Sequence, residues 1–418
     1  MYNIWQSLKN KDFYILLIII SLIVGSFIYG WYFDNSKPIA GFGFFDQTYY
    51  YKVSNKLANN IPLSLNDFHF QMGYSILGAI VYKIFPDDPF MIISLTLLIG
   101  SVIFNYYGAR YYFNYKFSVL FIMLLFFRYG PARCLYYAQD IFLIPWNNQI
   151  PFFCFSVFFW VFSKSPKSLS FGEAVFVSMV SGYTVTTRLE SAVFVFPLWV
   201  LAIYKLSTTQ KCFLFILFLA AASPHFVIQK IYMDTMFDNV RAADKGLNYL
   251  DKLSSYLSFE QFKNNIIDVI FNSSYRKFPN IDRLALLQAA PWLWLAPVGF
   301  LLFLLRLYRR SGHLILFFII SLWLFTFYLA GENMDIWNLK FHCLRYISPS
   351  YIALTFLSIY FIYSLYRIIT WVFLLWGNRP IFEFQGRHFT DSRVRKVRET
   401  VDRHTKDYKT TIQKMDFQ

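Results

Sequence analysis

Long apolar stretches with few charged residues recur along the whole chain and alternate with shorter polar connections. A stretch of about 20 such residues is long enough to cross the hydrocarbon core of a bilayer as a helix. The pattern therefore predicts an all-α, polytopic transmembrane helical bundle with about ten spans. The predicted spans are residues 14–33, 89–108, 117–131, 141–162, 172–187, 190–205, 212–228, 288–306, 313–330 and 346–372.

One further apolar stretch, residues 69–85 (HFQMGYSILGAIVYKIF), is predicted to lie at the membrane surface instead of crossing it. It is shorter than a span requires, and it has His69 and Gln71 near one end and Lys83 near the other. If this helix crossed, every later connection would change sides, and the basic connections would no longer be cytoplasmic. We expect a juxtamembrane helix within the first outer loop.

Basic residues fall in every second connection between the predicted spans, which is the distribution expected of cytoplasmic segments. Lys9 and Lys11 precede the first span, for example, and RLYRR at 306–310 joins the eighth span to the ninth. Both termini are thus predicted to be cytoplasmic, with a transmembrane domain over 1–376 and a basic cytoplasmic tail over 377–418. The opposite face receives the outer loops 34–88, 128–140, 229–287 and 331–345.

Composition agrees with a membrane protein, because 57% of the 418 residues are hydrophobic and 15% are charged. A soluble domain has about a quarter charged residues. Since the distribution of charge matters more than its total in a membrane protein, the net charge of +15 does not predict a nucleic-acid partner. The four cysteines have neither a CxxC pair nor the spacing of metal ligands, so we expect no metal site and no disulfide framework.

Asp46 stands near the start of a short segment in the first outer loop, FDQTYYYKVSNKLANN (45–60). Apolar residues recur in this segment at helical spacing, which predicts an amphipathic helix. One interpretation makes Asp46 the N-cap, whose carboxylate accepts a backbone N–H of the first turn. The other places a desolvated carboxylate at the membrane surface, where its pKa rises into the range of a general base. A single residue can fill both roles.

Three charged residues at the predicted outer ends of later spans are candidate substrate contacts. Asp140 lies at the outer end of the fourth predicted span, and Arg188 and Glu190 lie at a tight outer turn. Charged groups near membrane depth are costly and are usually either paired or functional. The alternative for Asp140 is a pair with Arg133 or Arg128. The alternative for Arg188 and Glu190 is a mutual ion pair, or an arginine side chain that extends to the lipid headgroups.

The last outer segment, NMDIWNLKFHCLRYISPS (333–350), contains two more candidates, His342 and Arg345. The guanidinium fork of an arginine matches phosphate oxygens, so Arg345 is a candidate for holding a lipid phosphate. His342 is a candidate substrate contact. The alternatives are interfacial anchoring for Arg345 and an ordinary hydrogen-bonded role for His342.

Several short motifs follow one another along the predicted outer loops. An acid among aromatic residues comes after the first span (FFDQTYYY), and QMGYSILGAIVYKIFP follows near the membrane. A second acid is Asp140, an RLE lies at a later outer turn, and RYISP opens a late span. In order and placement these motifs resemble the polytopic C-superfamily glycosyltransferases, which have the GT-C fold. The resemblance extends over roughly residues 10–360.

The resemblance implies an enzyme that transfers a sugar from a polyprenyl-phosphate-linked donor to a glycan, lipid or protein acceptor. Transfer would invert the anomeric carbon and take place on the non-cytoplasmic face, in a small bacterial member of the inner membrane. Asp46 then matches the catalytic base and Asp140 lies near the same cleft. Arg188 and Arg345 are the residues placed to hold the donor phosphate. The chain departs from the family pattern in having a single acid, followed by Gln47, where many members have paired acids.

The expected chemistry needs no cofactor, because the lipid phosphate is itself the leaving group, and a divalent cation is not indicated. Two other classes stay open. An O-antigen-type polymerase or ligase also has many spans and a sizeable outer loop, and the acid of FDQTYY would then be structural. A lipid-linked-sugar flippase or transporter predicts charged residues along a pore within the spans, whereas the charges here gather in the outer loops.

The predicted topology can be tested by tag accessibility. An epitope tag inserted within 229–287 is expected to be accessible from the extracytoplasmic side of intact cells. A tag on the tail at 377–418 provides the control, because it should become accessible only after permeabilisation. Labelling of both tags from the same side would contradict the predicted orientation.

Overall fold

The computed structural model describes residues 11–33, 45–68, 70–127, 138–143, 146–164, 169–233, 262–263, 266, 270, 274–278, 281–283, 286–307, 312–330 and 346–376. The chain divides into a compact unit, Met1–Tyr366, and a second unit, Arg367–Gln418. Within the second unit the structure describes the end of the last helix. The tail predicted at 377–418 lies outside the described residues.

Helices make up most of the described chain. They are α1 (Lys11–Phe33), α2 (Phe45–Ala58), α3 (Gly73–Tyr82), α4 (Pro89–Arg110), α5 (Tyr115–Phe126), α6 (Ala138–Leu143), α7 (Gln149–Lys164), α8 (Phe171–Thr187), α9 (Ala192–Ile203), α10 (Thr208–Ala222), α11 (Pro224–Met233), α12 (Leu286–Ala289), α13 (Ala296–Leu307), α14 (Gly312–Ala330) and α15 (Ser350–Trp376). Short 3-10 helices occur at Leu65–Phe68, Leu189–Ser191 and Pro291–Leu295.

A small hairpin is the exception to the predicted all-α architecture within the described residues. Strand β1 (Ser274–Phe278) pairs antiparallel with β2 (Ile281–Arg283), with Ser274 opposite Arg283 and Phe278 opposite Ile281. The hairpin belongs to the predicted outer loop 229–287. The described part of the chain is otherwise a helical bundle.

The structure does not confirm the expectation of about ten spans. Among the described residues, α1, α4 and α15 are long and apolar enough to cross a membrane, with a fourth span if α10 and α11 are counted together. These two helices divide the predicted span 212–228 and meet at an angle of 46°, because Pro224 has no N–H to continue the helix. The predicted span 141–162 is likewise divided, into α6 and α7, with the polar residues Asn147 and Asn148 directly before α7.

Side-chain caps determine where several helices begin. The Asp88 carboxylate accepts the backbone N–H of Met91 at 3.1 Å, with Pro89 at the first position of α4. Ser170 and Ser207 start α8 and α10 in capping boxes, each reciprocated by the side chain three residues later. Such caps satisfy backbone donors that the helix itself leaves unpaired, and each typically contributes about 1 kcal/mol.

Helices α1 and α4 lie side by side and antiparallel, and a polar contact at each end fixes their alignment. Trp31 Nε1 donates to Asp88 Oδ2 at 2.6 Å, and Arg110 Nη2 lies 2.9 Å from Asp12 Oδ2. The chain therefore leaves α1 and enters α4 at the same end of the bundle. Helix α3, between them, has 10 residues and a length of about 15 Å, which is the arrangement that a non-crossing juxtamembrane helix requires.

Aromatic side chains fill the interior between the helices. Phe356 of α15 is fully buried, and its ring centroid lies 4.9 Å from that of Phe113, 5.2 Å from that of Phe159 and 5.4 Å from that of Phe318. Small residues bring other helices together. A Cβ on Gly182 would collide with the carbonyl oxygen of Phe218, so α8 and α10 are in backbone contact. Van der Waals packing of this kind holds helices together where lipid surrounds them.

Helix α2 ends in a Schellman motif and an ion pair. Asn60 has a φ of 54°, in the left-handed region, which allows the N–H of Ile61 to bond the Lys56 carbonyl at 2.8 Å. The same Lys56 reaches forward with its ammonium to the buried Asp67 carboxylate at 2.6 Å. Ser64 also donates to that oxygen, from its N–H at 2.7 Å and its hydroxyl at 2.9 Å. The loop after α2 is thereby fixed to the helix.

Asp67 makes the stability of this loop dependent on pH. Burial alone would raise the pKa of Asp67, but hydrogen bonds from Lys56 and Ser64 outweigh it and hold the pKa below its ordinary value. The stabilisation is therefore complete above about pH 4 and is lost as the pH falls through the folded-state pKa. The melting temperature of the full chain in detergent should therefore fall as the pH falls below about 4, and this fall should be smaller in Asp67→Asn.

A second pair of variants separates the ion pair from surface charge. Lys56→Met is expected to lower the melting temperature at pH 7, whereas Lys52→Met, an exposed lysine on the same helix, should change it little. Equal effects of the two substitutions would contradict the role assigned to Lys56.

Candidate functional site

The segment Trp146–Gln149 joins four helices through hydrogen bonds. Gln149 is fully buried at the start of α7. Its Oε1 accepts from the hydroxyls of Tyr74 at 3.2 Å and Ser94 at 3.0 Å. Its Nε2 donates to the carbonyls of Ile141 at 3.3 Å and Phe142 at 3.2 Å. The side chain therefore ties α3, α4 and α6 to α7. Burial raises the pKa of Tyr74, so its hydroxyl keeps the proton that it donates.

The two asparagines before Gln149 bind the end of α8. Asn147 Nδ2 donates to the carbonyl of Thr187 at 3.1 Å, and Asn148 Oδ1 accepts from Arg188 Nη1 at 2.8 Å. The Nδ2 of Asn148 is buried and has no hydrogen-bond partner within the described part of the chain. We call Asn147, Asn148, Gln149, Tyr74, Ser94 and Arg188 the polar seam.

Arg188 is the buried cation of the polar seam, with 7% of its surface exposed. Its guanidinium carbon lies 4.0 Å from the ring centroid of Tyr346 and 5.4 Å from that of Tyr328. Ring faces attract a cation, and more strongly where water is excluded. A buried charge is costly unless such contacts compensate it. The arrangement therefore holds a positive charge at a fixed place in a nearly dry environment.

Glu190 is buried in the short 3-10 helix that follows Arg188. Ser191 stabilises this turn, because its hydroxyl donates to the carbonyl of Arg188 at 2.6 Å. The structure thus places Arg188 and Glu190 in one ordered turn at the end of α8, as the sequence predicted for their position. Their predicted binding roles stay predictions.

Asp46 and Asp140 lie on short helices that pack toward the polar seam. Asp46 is the second residue of α2, which contacts α3 through a hydrogen bond from Ser54 Oγ to the Ser75 carbonyl at 2.9 Å. Asp140 lies in α6, and the carbonyls of the next two residues accept from Gln149. The side chains of Asp46 and Asp140 lie outside the described residues, as do His342 and Arg345 entirely.

The polar seam lies at one end of the bundle, together with the Trp31–Asp88 contact. Ser94, in the second turn of α4, is part of the seam itself. Leu143 of α6 is against Gly30, where an added Cβ would lie 3.1 Å from it. The Asp12–Arg110 pair marks the opposite end of α1 and α4. The described parts of the predicted outer loops 34–88 and 128–140, on α3 and α6, thus lie at the end that contains the seam.

The amides that organise this site are not among the residues predicted from the sequence. Asn147, Asn148 and Gln149 form a run of three polar side chains inside the predicted span 141–162, and this run was the available signal. Buried polar groups of this kind must find partners, so such a run inside an apolar segment marks a structural junction. Gln47 was noted in the sequence as a departure from a family pattern. In the structure its side chain is fully buried on α2.

Neither a metal cluster nor a cysteine pair occurs within the described part of the chain. No group of three or more His, Cys, Asp or Glu side chains there is close enough to hold a metal ion. Cys154 is free and buried, and Cys212 is free and exposed. Cys134 and Cys343 lie outside the described residues.

No protein-family model matches this chain, and no curated protein matches it significantly. Among solved structures it is similar to the oligosaccharyltransferase of Archaeoglobus fulgidus in the apo form, with a TM-score of 0.49 and 13% identity over 90% of this chain and 54% of that one. The same enzyme tethered to an acceptor peptide containing an NVT sequon gives a TM-score of 0.49 and 13% identity, over 88% of this chain and 51% of that one.

A third structure, of the archaeal oligosaccharyltransferase AglB from the same organism with an inhibitory peptide and a dolichol-phosphate, gives a TM-score of 0.46 and 13% identity over 90% of this chain and 53% of that one. The chain thus spans about half the length of the structures it resembles. A likeness of this size does not assign an activity.

The seam predicts a large stability effect at Gln149. Gln149→Leu removes both atoms of the carboxamide and leaves the buried hydroxyls of Tyr74 and Ser94 without their acceptor. Each orphaned buried group costs about 1–3 kcal/mol, so we expect a loss of several degrees in melting temperature. Gln210→Leu, at a partly exposed helix start, is the control and should cost less. Equal melting temperatures for Gln149→Leu and the unchanged protein would contradict the role of the seam.

Proposed function

We propose that this protein transfers a sugar from a polyprenyl-phosphate-linked donor to a hydroxyl of a glycan, lipid or protein acceptor. Transfer takes place at the extracytoplasmic face of a membrane and inverts the anomeric carbon. The observation that carries the proposal is the buried guanidinium of Arg188 beside the buried Nδ2 of Asn148, which has no hydrogen-bond partner among the described residues.

This pair of groups suits the phosphate of the donor. Asn148 Oδ1 accepts from Arg188, so the N–H₂ group of Asn148 is the part of its amide that could donate to a further ligand. A fixed cation and an amide donor side by side favour an anionic oxygen, and both are worth more in a site that excludes water. Arginine is also the side chain best matched to phosphate geometry. The phosphate would develop additional charge as the glycosidic bond breaks, which is when these groups stabilise it most.

Asp46 supplies the base in this mechanism. Its carboxylate accepts the proton of the acceptor group while the acceptor atom forms a bond to the anomeric carbon. The bond from that carbon to the phosphate oxygen breaks, and its electron pair leaves on the lipid phosphate. Asp140, on α6, is proposed to bind substrate in the same cleft, and Glu190, His342 and Arg345 complete the predicted set of contacts.

The outer surface of the bundle is suited to a donor that approaches from the lipid. Helix α1 is apolar, and only part of its surface is buried: Ile28, Tyr29 and Tyr32 are exposed toward the end that contains the polar seam, with Tyr29 66% exposed. An apolar helix face open to the bilayer gives a long isoprenoid chain a place to lie beside the site. The donor is thus proposed to approach from the membrane, and the acceptor from the aqueous side.

The proposal predicts that substitutions of charged residues at the two ends of the bundle differ in their effect on sugar transfer. Asp46→Asn should reduce sugar transfer by about 100-fold or more, the usual contribution of a positioned base. Arg188→Lys keeps the charge and loses the guanidinium fork, so it should raise the KM for the lipid donor and lower kcat. Transfer is measured with purified protein in detergent or nanodiscs and a panel of lipid-phosphate-linked sugars.

Arg110→Lys is the matched control, because Arg110 pairs with Asp12 at the opposite end, and it should leave transfer within about twofold once folding is matched. Full transfer by a folded Asp46→Asn variant would overturn the assignment of the base. Unimpaired donor binding by Arg188→Gln would overturn the phosphate site.

A further inference from the structure

We propose that the carboxamide of Gln47 binds hydroxyl groups of the transferred sugar and so helps to select it. This inference rests on the proposed function, because it names one contact of the same site. Gln47 directly follows Asp46 in α2. Nothing in the sequence assigned it a role.

The burial of Gln47 is the first observation. The residue is 0% exposed, and neither Oε1 nor Nε2 has a hydrogen-bond partner among the described residues. Most buried side-chain amides are paired, because leaving one unpaired costs free energy. Gln149, another fully buried glutamine, differs from it because both of its amide atoms are bonded. Within the part of the chain that the structure describes, neither the donor nor the acceptor of the Gln47 amide is used.

The position of Gln47 on α2 is the second observation. It precedes Tyr50 by three residues and Ser54 by seven, so the three side chains lie on one face of the helix. Tyr50 packs on Tyr74 with ring centroids 5.1 Å apart, and Ser54 bonds the carbonyl of Ser75. This face therefore points toward α3 and the polar seam. Gln47 lies one turn closer to the start of α2, next to Asp46.

The chemistry of a carboxamide indicates which part of the substrate it meets. The oxygen accepts and the N–H₂ group donates, so the group pairs best with a partner that offers both, such as two neighbouring hydroxyls. The isoprenoid chain offers neither, and the phosphate offers only acceptors. The sugar is the part of the donor that matches. Because its anomeric carbon must come within reach of Asp46, its hydroxyls would lie beside the next residue of the helix.

A site that hydrogen-bonds a sugar hydroxyl discriminates strongly against a sugar without it, since the amide is then left unpaired in a dry environment. Gln47 would in this way contribute more to the choice of sugar than to the rate of proton transfer. It is a specificity contact, and Asp46 remains the catalytic group.

The test compares binding of a sugar-free lipid phosphate with binding of the same lipid carrying a sugar. Farnesyl phosphate and a panel of farnesyl-phosphate-linked hexoses and pentoses serve as probes, with the full chain in nanodiscs. The unchanged protein should bind at least one sugar-bearing lipid more tightly than farnesyl phosphate, and we call the ratio of these two affinities the sugar margin. Gln47→Met, which keeps the side-chain volume, should reduce the sugar margin about tenfold and leave the affinity for farnesyl phosphate unchanged. Arg188→Gln should weaken the binding of both lipids.

Stability supplies an independent readout. Gln47→Met removes a buried amide without orphaning a partner, so the melting temperature of the ligand-free protein should stay the same or rise. Gln149→Leu, with its partnered amide, should lower it. Gln47→Asn, which shortens the side chain and keeps the amide, should retain part of the sugar margin and serves as a second variant.

The outcomes separate this inference from the proposed function. If the sugar margin survives in Gln47→Met while Arg188→Gln still loses lipid-phosphate binding, the inference about Gln47 is wrong and the proposed function stands. If no sugar-bearing lipid binds the unchanged protein more tightly than farnesyl phosphate, the inference also falls. If neither Arg188→Gln nor Asp46→Asn affects binding or transfer, the proposed function itself is overturned.

Discussion

The hydrogen bonds of the Gln149 carboxamide hold one end of this helical bundle together. In an apolar interior every buried polar group needs a partner, so one amide that accepts from Tyr74 and Ser94 and donates to two backbone carbonyls fixes several helices at once. These bonds set α6 and α3 relative to α7, and the two asparagines before it set the end of α8. The candidate site depends on this junction because its residues lie on the elements that it connects.

Polar groups at the two ends of the bundle serve different purposes. At one end, Asp12 with Arg110 and Lys164 with Glu173 form ion pairs that join neighbouring helices. At the other, Arg188 is held by Asn148 and two tyrosine rings in a nearly dry environment. The first arrangement satisfies charge between helices near the aqueous boundary. The second keeps a cation at a place where the phosphate of a lipid donor is proposed to bind.

Buried amides with and without hydrogen-bond partners occur in the same region of the bundle. The paired amide stabilises the fold, and the unpaired amides are the ones proposed to bind the donor. Both amide atoms of Gln149 are hydrogen-bonded within the protein. In contrast, Oε1 and Nε2 of Gln47 and Nδ2 of Asn148 have no hydrogen-bond partner among the described residues. An unpaired buried amide destabilises the free protein. A ligand that pairs with it recovers that free energy on binding. In the proposed site, the free energy that an unpaired amide costs the free protein would be recovered on binding of the sugar.

The sequence alone determined the helical character of the chain, the lengths of α1 and α4, the ordered turn at Arg188 and the short length of α3, because these follow from local apolar periodicity, capping and chain length. The structure does not confirm its ten spans, since two of the predicted apolar runs are divided into the helix pairs α6 with α7 and α10 with α11. The roles predicted for Asp46 and Asp140 stay predictions. Only the tertiary structure decided which polar groups are paired, because Gln47 and Gln149 are the same residue type and differ solely in the neighbours that the fold brings to them.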